Sequence, residues 1–257
     1  MARPARRAAN RSSAFAESRV PLWVWAVIVG SLALIIVAVV VGSQPRTTGA
    51  GSPSDEHGGQ QSQGGQSGDD DIRFDVARRV DGDVTAIGDV DAPVVIVEYS
   101  DYRCPFCAVV SRDTLPKIID EYVETGKVRF EWRDFPIFGE QSVDAAVAGR
   151  AAGEQGLFWE YNEAIYAEAP ARSHIDLPRE RLIEFAEQVG VPDIEKFTAD
   201  LDNQELLDAV NADAEEASYI GVSSTPIFVV GNTPVVGAQP YEAFVEVIES
   251  ELAKAEQ

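Results

Sequence analysis

Residues Val94 to Tyr99 read Val-Val-Ile-Val-Glu-Tyr, the most strand-like run in the chain. Five of the six are apolar and four are β-branched, the pattern of a central strand buried on both faces. Ser100 to Arg103 make a short loop, and Cys104-Pro105-Phe106-Cys107 follows at once. These are the only two cysteines in 257 residues. Pro105 suits the first position of a helix, because its missing N–H would have no partner there. Val110, Leu115, Ile118, Ile119 and Tyr122 continue at helical spacing. Pro116 should kink that helix and Gly126 should end it. Lys127 to Phe135 then alternates as a strand does. The unit is β-α-β with the cysteine pair at the start of its helix.

The rest of the folded part is arranged around this unit. Val80 to Gly88 reads as a short first strand, and the folded region starts near Ile72. After Phe135 comes a helical block: Ser142 to Gln155, Leu157 to Glu168, Arg179 to Val189, Ile194 to Ala199 and a strongly acidic Gln204 to Ile220. Thr225-Pro226 leads into a strand at Ile227 to Val230. Gly231 to Pro234 is a turn, Val235-Val236 returns antiparallel, and Tyr241 to Ala255 closes as a helix.

The N-terminal region has a different character. Residues 1–21 carry five arginines against Glu17. Leu22 to Gly42 has no charge, and at ~1.5 Å per residue it spans roughly 30 Å, a bilayer core. Trp23 and Trp25 stand where aromatic belts sit. The expectation is a single-pass anchor over residues 22–42, a cytoplasmic basic tail over 1–21, and everything later outside the cell membrane. A cleaved signal peptide is the alternative. Its apolar region would be about 7–15 residues, and Val41-Gly42-Ser43 is a weak cleavage site. Residues 43–71, rich in Gly, Ser and Gln, read as a flexible linker with a coil span of roughly 30 Å. Residues 72–257 are the folded domain.

Charge and cysteine spacing limit the chemistry. The net charge is -22, all of it carried by residues 72–257. Such a domain repels phosphate backbones, so nucleic acid is excluded as a partner, and the acidity reads as an aid to solubility. A zinc site would need two further ligands at matching spacing. There is no third cysteine, and His57 and His174 lie in a linker and a polar connection, where both read as incidental. No metal or cofactor is expected. A purely structural disulfide would close too short a loop to constrain an unfolded chain much. A redox pair at a strand–loop–helix junction remains. Cys104, at the helix N-terminus, meets unpaired N–H groups and the positive end of the dipole, which favour its thiolate. It is the expected nucleophile. Cys107, one turn inside, should be more buried and should resolve mixed disulfides.

Several segments resemble the DsbA-like thiol-disulfide oxidoreductases: Glu98 through Cys107, Val128 through Pro136, Phe158-Trp159-Glu160, Gly221 through Phe228, and Gly237 through Tyr241. The match spans roughly residues 83–250 in the expected order. It implies an α/β chain with a thioredoxin fold and an inserted helical domain at about 138–220. It implies a cis peptide bond before Pro226, with Thr225 offering backbone hydrogen bonds to an extended substrate; from the residues alone, an ordinary trans turn is the simpler reading. Pro105 and Phe106 join Thr225 and Pro226 on the implied substrate-facing surface. The family often has a proton-taking acid where Glu98 stands, and a solvated strand-end carboxylate is the plainer alternative. DsbA of enteric bacteria has His in place of Phe106, so weaker oxidation is implied here.

The resemblance implies a monomeric oxidase that passes its disulfide to exported, unfolded polypeptides with free thiols. A membrane reoxidase of the DsbB or vitamin K epoxide reductase type would restore it. A reductase or isomerase with the same fold is the nearest alternative. A non-catalytic tethered binding module is the alternative of another class.

Overall fold

The computed structural model describes residues 76–256. The expected tail (1–21), anchor (22–42), linker (43–71) and the first four residues of the expected domain (72–75) lie outside the described residues. Among those described, no helix is long and apolar enough to cross a membrane.

Five strands form one sheet: β1 Ala86–Ile87, β2 Val94–Ser100, β3 Val128–Asp134, β4 Ile227–Val230 and β5 Thr233–Val236, in the order β1-β3-β2-β4-β5. β2 and β3 run parallel, with Glu98 opposite Trp132; the other pairings are antiparallel. The parallel pair requires a crossover, and the helix after the cysteines supplies it. Every residue of β2 and of β3 is buried, as a strand covered on both faces must be.

Side-chain alternation assigns the two faces. Val94 and Ile96 join Phe130, Phe228 and Val230 in a core with Val110, Leu115 and Ile118 and with Phe244 and Ile248 of the last helix. Val95, Val97, Tyr99 and Val229 pack on the opposite face against Ala217 and against Val76 and Ala77.

The helices are α1 Pro105–Asp113, α2 Leu115–Ile118, α3 Glu140–Gly153, α4 Phe158–Glu168, α5 Arg179–Val189, α6 Ile194–Asp200, α7 Gln204–Tyr219 and α8 Tyr241–Ala255. Five of them, α3 to α7, lie between β3 and β4, as the helical block predicts. The first strand is shorter than the expected Val80 to Gly88. Asp81-Gly82 turns the chain, Gly82 has φ 71°, and Val80 and Val84 are exposed.

The helix after the cysteines is interrupted at Thr114, not at Pro116 itself. Pro116 has no N–H for the Arg112 carbonyl, so the hydrogen-bond ladder restarts one turn early and Pro116 sits in the first turn of α2. A wide turn over Ile119–Val123 ends the crossover, closed by Glu124 N–H on the Ile119 carbonyl at 2.9 Å.

Ion pairs line β3 and connect it and the segment before β1 to α7. Arg133 meets Glu131 at 2.7 Å, Arg129 meets Glu131 at 2.9 Å and Arg78 meets Asp213 at 2.7 Å. Arg150 bridges Asp134 and Asp213. Glu131 also accepts the backbone N–H groups of Arg78 and Arg79, which fastens the segment entering the domain. Part of the acidity read as an aid to solubility is therefore internal.

Candidate active site

Cys104 is the N-cap of α1, with φ -75° and ψ 118°, and Pro105 takes the first helical position. The strand β2 delivers the chain to this point, and the Asp101 carbonyl accepts the Cys104 N–H at 3.0 Å. The thiol faces the Thr225-Pro226 peptide, which is cis. Cys104 Sγ donates to the Thr225 carbonyl at 3.4 Å, across 121 residues of sequence. The residues expected to meet a substrate thus gather at one end of the sheet. Phe106 is 61% exposed beside them, while Thr225 is buried.

Both cysteines are free thiols, and both are buried, Cys104 at 1% exposure and Cys107 at 0%. The expected difference in burial is therefore slight, and the two sulfurs differ in their surroundings instead. The hydrogen bond from the Cys107 thiol is the largest cause holding Cys104 down, at about 6. Thr225 and the N–H groups of Cys107 and Phe106 add to it, while burial opposes. Those amides are the unpaired donors of a helix N-terminus. Cys107 is pushed well above the usual thiol range, first by burial and then by its neighbour Cys104.

Glu98 is 3% exposed, on the strand beneath the pair. A solvated strand-end carboxylate does not describe it. Burial, with the charge of Cys104 adding, raises it to about 8, and the Ser100 hydroxyl opposes the shift.

The loop between β2 and α1 is held by the helices inserted after β3. Asp101 Oδ2 accepts from the N–H groups of Ile137 at 2.7 Å and Phe138 at 3.1 Å, and its Oδ1 accepts from Arg103 N–H at 2.7 Å. Arg103 donates to the carbonyls of Ile175 and Phe138. His174 Nδ1 donates to the Arg103 carbonyl at 2.9 Å, and its ring lies 4.2 Å from that of Phe138. His174, read as incidental, therefore touches Arg103, the residue before Cys104. Tyr102 packs between Trp132 at 5.3 Å and Tyr166 at 5.7 Å. Tyr166 donates to the Asp101 carbonyl at 3.0 Å and lies 3.2 Å from the Ser100 hydroxyl.

Ser100, Asp101, Tyr166 and His174 are the functional neighbours that sequence reasoning missed. Ser100 had a signal, since it stands two residues after Glu98 and so shares its strand face. Tyr166 and His174 had none, being brought in from more than 60 residues away. Among the described residues there is no cluster of His, Cys, Asp and Glu able to hold a metal ion. The arrangement is suited to two-electron exchange at sulfur, with one thiolate stabilised, one thiol kept protonated and a neutral carboxyl close by.

The comparisons with known proteins agree with this chemistry. A family model described as Thioredoxin matches residues 81–250. The probable disulfide bond formation protein D of Bacillus anthracis is 31% identical over 174 residues, which covers 66% of this chain and 78% of the relative. The crystal structure of oxidised BdbD from Bacillus subtilis superimposes with a TM-score of 0.62 at 26% identity, covering 66% of this chain and 92% of that one. The crystal structure of α-DsbA1 from Wolbachia pipientis shares the fold, with a TM-score of 0.58 at 23% identity over 66% of this chain and 92% of its own.

Proposed function

The chain belongs to the DsbA-like thiol-disulfide oxidoreductases of the thioredoxin family, and from that we propose that it works as an oxidase, donating the Cys104–Cys107 disulfide to exported, unfolded polypeptides. The observation that carries this reading is the placement of Cys104 at the N-terminus of α1, against the cis Thr225-Pro226 peptide, with its thiol 3.4 Å from the Thr225 carbonyl, a setting that holds the thiol below its usual range, at about 6. A thiolate stabilised in this way is a good leaving group, which favours the reduced protein as a product of exchange relative to an ordinary thiol pair.

The reaction runs in two exchanges. A substrate thiolate attacks Cys104 Sγ in the disulfide. The bond to Cys107 breaks, and Cys107 leaves as a thiolate and takes a proton, for which Glu98 is the donor. A second substrate thiolate then attacks its partner sulfur in the mixed disulfide and expels the Cys104 thiolate. The substrate has lost two electrons and two protons, and the cysteine pair has gained the electrons. Thr225, through its backbone on the cis-proline loop, aligns the extended substrate next to Cys104, with Pro105, Phe106 and Pro226 forming the surface around it.

A partner must reoxidise the pair. A membrane protein of the DsbB or vitamin K epoxide reductase type fits a domain tethered outside the membrane through residues 22–42. Oxidising compartments are where such disulfides persist.

The test is to mix the oxidised protein with a reduced, unfolded protein whose native form contains disulfides. Transfer of one disulfide per molecule, lost in Cys104→Ala, supports the oxidase. Rearrangement of a scrambled substrate without net oxidation would assign an isomerase instead. Full function in Cys104→Ala would leave a binding module. Recovery of the intact N-terminus in isolated membranes tests the anchor; release of the mature protein to the medium would contradict it.

A further inference from the structure

Tyr166 of α4 meets the cysteine-bearing helix twice. In the last turn of α1, Arg112 donates to the Tyr166 carbonyl. Ahead of the first turn, the Tyr166 hydroxyl donates to the Asp101 carbonyl at 3.0 Å. That carbonyl is also the acceptor of the Cys104 N–H, at 3.0 Å. Asp101 to Cys104 is thus a β-turn closed by one hydrogen bond, and the phenol binds the acceptor of that bond. The hydroxyl has a second partner, Ser100 Oγ at 3.2 Å. The one phenol proton is spent on Asp101, so Ser100 donates at this contact. A hydroxyl that accepts while it donates is the stronger donor. Ser100, Asp101 and Tyr166 are all buried, so bulk water does not make good a lost partner.

We propose that Tyr166 is a positioning residue for disulfide exchange: by holding the Asp101 carbonyl, its hydroxyl sets the turn that presents Cys104 Sγ to the Thr225 carbonyl and to an attacking thiolate. The proposal rests on Cys104 as the reacting sulfur. While Tyr166 holds the Asp101 oxygen, the peptide plane between Asp101 and Tyr102 cannot tip. The Cys104 N–H is then fixed, and with it the N-cap backbone, φ -75° and ψ 118°, that aims the sulfur. Without the hydroxyl the plane is free to rotate. Cys104 then spends part of its time turned away from the Thr225 carbonyl, 3.4 Å from its sulfur, and from the N–H groups of the helix terminus.

The other ties on this loop act elsewhere. His174 donates to the carbonyl of Arg103 and is exposed, and the Asp101 carboxylate holds the N–H groups of Arg103, Ile137 and Phe138. Tyr166 binds the carbonyl that Cys104 itself uses.

The experiment compares two tyrosines of α4 in the full-length protein. Tyr166→Phe removes the hydroxyl and keeps the ring that stacks on Tyr102 at 5.7 Å. Tyr161→Phe is the matched control, because Tyr161 is as deeply buried and donates to the Leu182 carbonyl of α5 at 3.0 Å. Both variants should melt at lower urea, each having lost one buried hydrogen bond to a main-chain carbonyl. Only Tyr166→Phe should raise the midpoint of thiolate absorbance in the reduced protein, by about half to one pH unit. It should also slow reduction of the oxidised protein by dithiothreitol, expressed per attacking thiolate, about three- to tenfold, the share of one neutral hydrogen bond. Ser100→Ala, which leaves the phenol without its own donor, should move both quantities the same way by a smaller factor. An unchanged midpoint and rate in Tyr166→Phe, or equal changes in Tyr161→Phe, would overturn the proposal and leave Tyr166 as a packing residue. If Tyr166→Phe does not fold, Ser100→Ala takes its place, and wild-type values there overturn the proposal. Each variant is scored against the wild-type protein, so the result stands whether the pair works as an oxidase or a reductase; the direction of transfer by the wild type decides that question.

Discussion

Cys104 has an ordinary exposure for a core residue and an unusual charge preference. That preference comes first from the hydrogen bond donated by Cys107. Titrating thiolate absorbance in the reduced protein should give a midpoint near 6, and Cys107→Ala should raise it. A midpoint left in place by Cys107→Ala would assign the effect to the helix terminus alone. Phe106 is exposed and has no hydrogen-bond donor in its side chain. Phe106→His should therefore lower the midpoint further.

Glu98 links the site to stability. Its folded value of about 8 lies above the usual 4.5, so the folded state keeps a proton that the unfolded chain releases between those values. Stability falls as pH rises through that window. Glu98→Gln removes the loss, a gain on the order of 3 kcal/mol at pH 7 and nothing below the unfolded value. Urea melts at pH 4 and pH 7 compare the two; an equal gain at both would contradict the account. Cys104 acts in the other direction. Being depressed, it stabilises the reduced protein fully above the usual thiol value, and that stabilisation is lost as pH falls through about 6.

At the level of elements, the active-site loop is held more by the inserted helices than by its own strand and helix. Asp101 accepts three backbone N–H groups, two of them from the segment entering α3. Asp101→Ala should cost about 1–3 kcal/mol for the donors left unpaired and slow disulfide transfer; a melt at wild-type urea would contradict this. Gly149 of α3 meets the tip of Tyr102, and a Cβ there would lie 2.2 Å from the phenol oxygen. Gly149→Ala should destabilise by about 1–3 kcal/mol through overpacking and displace the loop. Local pattern made much of this legible. The apolar run marked β2, the alternation from Val128 marked β3, and Pro105 marked the start of α1. The break at Thr114 was misplaced by two residues, since Pro116 acts on the turn before it. Val80 and Val84 face solvent around the Asp81-Gly82 turn, so the first strand is confined to Ala86–Ile87. The grip of Tyr166 and His174 on the loop was illegible, because it is made by packing between distant helices and leaves no period in the sequence.

Over the whole molecule, the charge balance serves two ends. Many acids are exposed, while Asp213, Glu216 and Glu131 tie α7 and residues 78–79 to the sheet through arginines. Composition alone could not separate these roles, because the partners lie on four different segments. The same fold can run exchange in either direction, and the direction depends on how strongly the reduced pair is favoured. The most direct test is the reduction potential of the Cys104–Cys107 pair, measured by equilibration with glutathione. A Cys104 thiol near 6 and Phe106 in place of a donor predict a potential between the strongly oxidising value of about -120 mV and the thioredoxin value of about -270 mV, clearly above the latter. A potential at the thioredoxin end would contradict it and make the protein a reductase.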